Sequence, residues 1–337
     1  MTEISQVKDP RSTVRTLVMF LGTVALVVLL LVAMICGAAS TSFGDLYNVF
    51  VNPQNTETYR VLYYIRIPRV LTAVFAGINL AVAGCILQGV LKNPLADPGI
   101  IGVSSGAGLA AMIVMILLPE YTTLVPIAAF GGAMLAAFIL FVLAWEHGIS
   151  PLKLILAGVA VSAFFAGGMT CLMVFYSDKI QGTVNWMAGG FAGASWDHVT
   201  MILPYTVIGL FGSIIGCRYL NSLQLGDDVA KSLGTRVELA RFFLITLAAL
   251  LAASAVSVAG MLTFVGLIVP HMMRLIVGSD FNYLLPTSAI FGGILLIVAD
   301  TVARVAFQPI EVPVGVFMSF IGAPFFLYLL KRGTRRR

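Results

Sequence analysis

The chain has 337 residues, of which 59% are hydrophobic and 10% charged, whereas a soluble globular protein carries about 25% charged residues. That balance excludes a water-soluble domain and makes the bilayer the solvent. The net charge of +5 does not point to nucleic acid, because the basic residues flank apolar runs. Lys8, Arg11 and Arg15 precede the first run, and Lys331, Arg332, Arg335, Arg336 and Arg337 follow the last, which is the positive-inside pattern of membrane helices.

A bilayer span needs about 20 apolar residues. In chain order, such stretches lie near 16–39, 68–91, 99–118, 123–145, 153–176, 199–218, 239–259, 261–277, 284–305 and 312–331. They predict an all-α polytopic protein of about ten helices, a single transmembrane domain over 1–337. The first run is too long for a signal-peptide core and shows no clear cleavage site, so it reads as a retained helix. The seventh and eighth stretches abut, and Gly260 is the expected break. Charge supports that break. With ten helices and a cytoplasmic N-terminus, Lys92, Lys153, Arg218, Lys231, Arg236, Arg241 and Arg274 all fall inside, a roughly threefold inside bias. Both termini are then cytoplasmic. The longest polar stretches are 40–66 and 177–198 outside and 219–238 inside. Trp186 and Trp196 suggest that the second outer stretch lies at the membrane interface.

Several chemistries are missing. There is no Gly-Lys pair, hence no Walker A phosphate loop, and no HExxH. Cys36, Cys85, Cys171 and Cys217 lie far apart without metal-ligand spacing, so neither a metal nor a cofactor is expected on this chain. His147 and His271 at inner boundaries and His198 at the outer one read as structural or solvated. Asp300 is the acid placed within a span, and Arg304 follows at i+4 as its expected partner. With no dedicated coupling carboxylates, movement is expected to be powered from outside the chain. An ion-coupled secondary transporter is the alternative of another class.

Four segments carry more signal than hydropathy. Arg66-Ile67-Pro68-Arg69 is expected to open the second helix on the outer face, with Pro68 pre-organising its start and the arginines forming a cationic patch. An inner turn follows at Gln88–Gly99, containing Asn93, Pro94, Asp97, Pro98 and Gly99, and then Gly102 and Gly106, a GxxxG pair. In the largest inner loop, Leu225-Gly226-Asp227-Asp228-Val229-Ala230-Lys231-Ser232-Leu233-Gly234 reads as a short helix bracketed by glycines, with acids at its start and Lys231 near its end. Pro270, in Gly266–Arg274 beside His271, and Pro324, in Gly322–Leu327, are expected to kink their helices, which requires neighbours to satisfy the freed carbonyls.

Together, in this order and over roughly residues 60–331, these segments resemble the FecCD-type permeases, importer subunits for iron–siderophore complexes, haem and cobalamin. The resemblance implies a type II ATP-binding-cassette importer in the cytoplasmic membrane. Two permeases, as a homodimer or with a related sister, would enclose a pathway worked by alternating access. Two partner ATPase subunits would hold ATP–Mg, and an extracytoplasmic substrate-binding protein or lipoprotein would dock from outside. By the same resemblance Arg66, Arg69 and Arg304 match outer arginines that meet the binding protein. Leu225, Gly226, Asp227, Asp228, Ala230, Lys231, Leu233 and Gly234 match the segment that contacts the ATPase. Iron–siderophore is the default cargo, with haem or cobalamin as the alternative.

Overall fold

The structure, a computed structural model, describes residues 11–37, 41–52, 56–145, 150–306 and 310–334. Lys8, His147, Arg335, Arg336 and Arg337 lie outside the described residues, as does the side chain of Arg332. All regular structure among the described residues is helical. The helices are α1 (Ser12–Ile35), α2 (Phe43–Val51), α3 (Glu57–Val90), α4 (Val103–Leu117), α5 (Val125–Ala144), α6 (Pro151–Phe175), α7 (Gln181–Ala188), α8 (Trp196–Gln224), α9 (Asp227–Ser232), α10 (Val237–Ala259), α11 (Val265–Val277), α12 (Phe281–Val305) and α13 (Val314–Thr334). Seven helical stretches, containing α1, α3, α5, α6, α8, α10 and α12, are long and apolar enough to cross a bilayer, and α4, α11 and α13 contain shorter apolar ones. The protein is therefore a multi-pass membrane protein. The expected break at Gly260 is present: α10 ends at Ala259, and Gly260 takes a left-handed φ of +69°.

Helix α3 is the hub. Its most apolar window is 83% buried, against 17% for α1 and 28% for α6, whose apolar faces point outward. Small residues allow this burial, because helices in lipid associate by close backbone approach. On α3, Gly77 lies against the backbone of Gly292 in α12, and Gly84 against that of Gly266 in α11. The GxxxG expectation needs correction. Gly102 is not a helix-face residue but the left-handed cap of α4, at φ +80°. Gly106 does make a crossing, against Gly132 of α5.

Two further expectations change. The second membrane helix opens at Glu57 rather than near 68, so Arg66 and Pro68 lie inside it. A π-turn over Val61–Arg66 precedes Pro68. In that i→i+5 register the carbonyl of Tyr63 would take the N–H that Pro68 lacks. The indole Nε1 of Trp196 donates to it instead, at 2.9 Å. Within the stretch 177–198, α7 is exposed or half-buried apart from the buried Thr183, and the turn after it meets the bundle. Gly190 N donates to Ala259 O (2.8 Å) and Gly315 N to Gly189 O (3.0 Å), joining the ends of α7, α10 and α13. Finally, α11 has only 13 residues, about 20 Å, and residues 260–264 run irregularly before it. Irregular backbone at membrane depth is tolerated where protein covers it.

Pro270 is in the interior of α11 and cannot donate to Gly266 O, four residues earlier. Gln88 of α3 fills the gap: its Nε2 donates to Gly266 O (3.2 Å) and Leu267 O (3.3 Å). Gln88 is 1% exposed. Gln88→Leu keeps the volume but leaves Gly266 O unpaired in a dry interior, a loss of about 1–3 kcal/mol. A lowered melting temperature of the purified protein checks this. An unchanged melt for Gln88→Leu would contradict it.

Candidate functional site

The bundle presents two polar faces. The first carries the arginines. They do not form an open patch: Arg66, Arg69 and Arg304 are 4%, 8% and 6% exposed. Arg69 grips Asp300 with two nitrogens, Nε at 3.0 Å from Oδ2 and Nη2 at 2.9 Å from Oδ1, and donates through Nη1 to Glu311 Oε2 at 2.8 Å. Asp300 therefore pairs with Arg69 of α3 and not with Arg304, its expected i+4 partner. The sequence separation of the true pair is 231 residues, which no helical periodicity can announce. Arg66 ties down the end of α1, donating to Thr41 Oγ1 (2.6 Å) and to the carbonyls of Ile35 and Met34. Arg304 donates to Ala33 O at 3.0 Å, while its buried Nε has no hydrogen-bond partner. Three guanidiniums face two carboxylates in this cluster, and Asp197 in the wall of the adjoining cavity adds a third acid, so the charges nearly balance. Beside it lies a cavity of about 1010 Å³, whose walls include Phe130, Trp186, Tyr205, His198 and the Arg69–Glu311 pair.

At the opposite face, the turn after α3 is built from local side-chain caps. Asn93 Oδ1 accepts from Leu95 N (3.0 Å) and Asp97 Oδ1 from Gly99 N (2.9 Å), two successive Asx turns. Pro98 then starts a short 3-10 turn, Pro98–Ile101, while Pro94 is exposed at the tip. Burial pushes the Asp97 carboxyl up to about 6 against the opposing pull of the Gly99 N–H. A carboxyl raised above its ordinary 3.8 contributes its stability in full below that value and loses it as pH rises through the folded value. Asp97→Asn keeps the turn and removes the buried charge. It should melt a few degrees higher than the parent at pH 7.5, with the gain fading toward pH 4. A gain that is the same at both pH values would contradict the assignment.

On this face the short helix expected in the loop is present as α9. Both bracketing glycines take left-handed φ, +106° at Gly226 and +81° at Gly234. Ala230 is fully buried, whereas Leu225, Val229 and Leu233, spaced four apart, are 60%, 46% and 63% exposed. The three side chains form an exposed apolar stripe on a short polar loop. Asp228 and Lys231 are exposed beside it. The base of α9 is held by Asp227, which accepts from Lys92 Nζ (3.0 Å) and Arg241 Nη2 (2.9 Å). Burial would raise the Asp227 carboxyl, but these two cations hold it below its ordinary value. Next to the helix runs a groove of about 690 Å³, lined by Arg218, Tyr219, Leu233, Arg236, Leu239 and Phe243.

The structure thus ties Lys92, Asp227 and Arg241 into one cluster, and Arg69, Asp300 and Glu311 into another. It places Pro270 and His271 on α11 and Pro324 on α13, apart from both. Sequence reasoning missed Gln88, Glu311 and Arg241 as structural partners. A polar residue deep in an apolar run was the available signal for Gln88; Glu311 and Arg241 gave none.

Comparison with known proteins follows the same lines. A model of the FecCD transport family matches residues 25–332. The chain is 38% identical over 324 residues to an Fe(3+)-citrate import system permease protein, YfmE, of Bacillus subtilis, covering 93% of this chain and 96% of that one. It is 39% identical over 326 residues to the hemin transport system permease protein HmuU of Yersinia pestis, with 93% and 95% covered. It is 42% identical over 278 residues to the cobalamin import system permease protein BtuC of Halobacterium salinarum, with 82% and 74% covered. A solved inward-facing structure of a metal-chelate type ABC transporter superimposes with a TM-score of 0.83 at 29% identity, covering 94% of this chain and 99% of that one. The likeness extends over nearly the whole length and over the ten apolar helices, and the chain belongs to the FecCD transport family as a membrane-spanning permease.

Proposed function

We propose that this permease is the membrane subunit of an ATP-driven importer and carries iron–chelate complexes, iron–siderophores first among them, across the cytoplasmic membrane. The observation that carries the reading is α9: an exposed apolar stripe on a short helix whose base is tied to α3 and α10 through Asp227. Such a knob suits a groove on an ATPase partner, and its ties would pass a displacement to the transmembrane helices. ATP and magnesium would sit on that partner. Two ATPase subunits and a second permease, identical or related, would complete the assembly.

The arginine face would receive the substrate-binding protein. Because Arg66, Arg69 and Arg304 are buried, they would serve docking by fixing Ala33, Ile35, Thr41 and Glu311 at the rim. The burial of Asp300 under Arg69 speaks against the secondary-transporter alternative, since a carboxylate gripped at both oxygens is poorly placed to exchange a coupling ion. The pathway itself would be worked by swinging of α11 and α13, each interrupted by proline.

The cargo follows from the relatives, which are permeases for iron–citrate, hydroxamate, hemin and cobalamin. Haem or cobalamin is the second reading. Uptake of radio-iron chelates into proteoliposomes holding the complete complex tests the proposal. Uptake that needs ATP on the α9 face and ignores a proton ionophore is expected. Uptake that is abolished by the ionophore and indifferent to ATP would overturn it.

A further inference from the structure

Helix α8 runs into α9 through Leu225 and Gly226 alone. Its last turns carry a polar stripe at Cys217, Asn221 and Gln224, the i, i+4, i+7 spacing of one helix face. All three side chains reach the corner between α11 and α12. Cys217 Sγ lies 3.5 Å from Phe281 O, and Gln224 Nε2 donates to Ser279 O at 2.9 Å. Asn221 makes two bonds: Nδ2 donates to Asp280 Oδ1 (2.9 Å) and Oδ1 accepts from Phe281 N (3.0 Å). Asp280 is itself the N-cap of α12, accepting from Asn282 N at 3.0 Å. The start of α12 is thus capped twice, once from within and once from α8.

Helix α12 links the two polar faces. At one end it is stapled to α8. About 30 Å away, Asp300 is locked to Arg69, and between them Gly292 lies against Gly77 of the hub helix. We infer that Asn221 is a positioning residue for transport, passing the displacement of α9 from the foot of α8 to α12. The inference rests on the reading of α9 as the ATPase contact. A helix end gripped at an N–H and at its capping carboxylate follows its partner as a rigid body, whereas an ungripped end lets α8 move without it.

The test uses the complete permease–ATPase complex in proteoliposomes and counts chelate imported per ATP hydrolysed. Asn221→Asp keeps the acceptor for Phe281 N–H but sets two carboxylates against each other at Asp280. Hydrolysis within twofold of the parent is expected, with import per ATP at least tenfold lower in a complex that stays folded and assembled at the assay temperature. Adding Asp280→Asn exchanges donor and acceptor across the same bond, retains a good N-cap, and should restore the ratio. An unchanged ratio in Asn221→Asp would overturn the inference. So would a loss of ratio that Asp280→Asn does not repair although it restores the melting temperature, which would make Asn221 a structural cap only. Should Asn221→Asp not fold, Asn221→Ala with the same readouts replaces it. Failure of the underlying reading shows separately, as normal ATPase assembly and coupling in a Leu233→Asp variant.

Discussion

Replacing Asp300 with Ala should destabilise the protein by about 3–5 kcal/mol, the usual loss when one member of a buried ion pair is removed. The magnitude follows from what is left behind. Asp300 is 1% exposed and Arg69 8% exposed. Without the carboxylate, Arg69 keeps only Glu311, whose side chain is 46% exposed. Arg304 adds a second, nearby guanidinium whose Nε is already unpartnered. Two like charges would then share a poorly hydrated site at the junction of α1, α3 and α12. A fall in the melting temperature of more than ten degrees in detergent is expected, together with faster proteolysis in the 310–314 segment. Glu311→Gln, which removes an exposed partner of the same arginine, should cost about 1 kcal/mol or less. Equal melts for Asp300→Ala and the parent would show that the pair is not what holds this face together.

Leu233→Asp should abolish assembly with the ATPase while leaving the permease folded. Leu233 is 63% exposed and Leu225 60%, so a carboxylate at either position meets water in the free permease and costs it little. In an assembled complex the same stripe would be covered, and an unpaired carboxylate there would cost several kcal/mol. Co-purification of the ATPase should drop by at least tenfold with an unchanged permease melt. Gly234→Val acts differently. Nothing stands within 4 Å of an added Cβ, but a β-branched residue at φ +81° is strained by about 1–3 kcal/mol. Assembly should survive with impaired coupling. Normal assembly in Leu233→Asp would remove α9 from the mechanism.

The helices were legible because a span in lipid is a matter of apolar length, and the break at Gly260 because an odd count would carry Arg274 and the basic tail to the wrong side. α9 was legible because two glycines bracket it. The start of α3 was not: residues 57–66 contain Glu57, Arg60 and Arg66 and fall below any apolar threshold, yet their helix is held by Trp196 on Tyr63 O. The arginines were found by residue type, but their burial was not: Arg69 is covered by Asp300 and Glu311 from more than 230 residues away, and Arg66 and Arg304 by the end of α1. Pro270 announced that a carbonyl would be freed, whereas Pro68 read as a helix start; which side chains meet the two carbonyls, Gln88 and Trp196, is tertiary information. The stripe of Cys217, Asn221 and Gln224 was visible in principle as polar positions at helical spacing, but without the 279–281 corner nothing gave it a partner.

The measurement that bears most directly on the central claim is chelate uptake in cells lacking only this chain. Radio-iron loaded on citrate, a hydroxamate and a catecholate siderophore, with haem and cobalamin in parallel, covers the range of cargoes. Loss of one iron–chelate class, restored by the parent gene but not by the Leu233→Asp form, is the expected result. Intact uptake of every iron chelate with loss of haem or cobalamin would reassign the cargo, and loss that Leu233→Asp repairs as well as the parent would contradict an ATPase-driven permease.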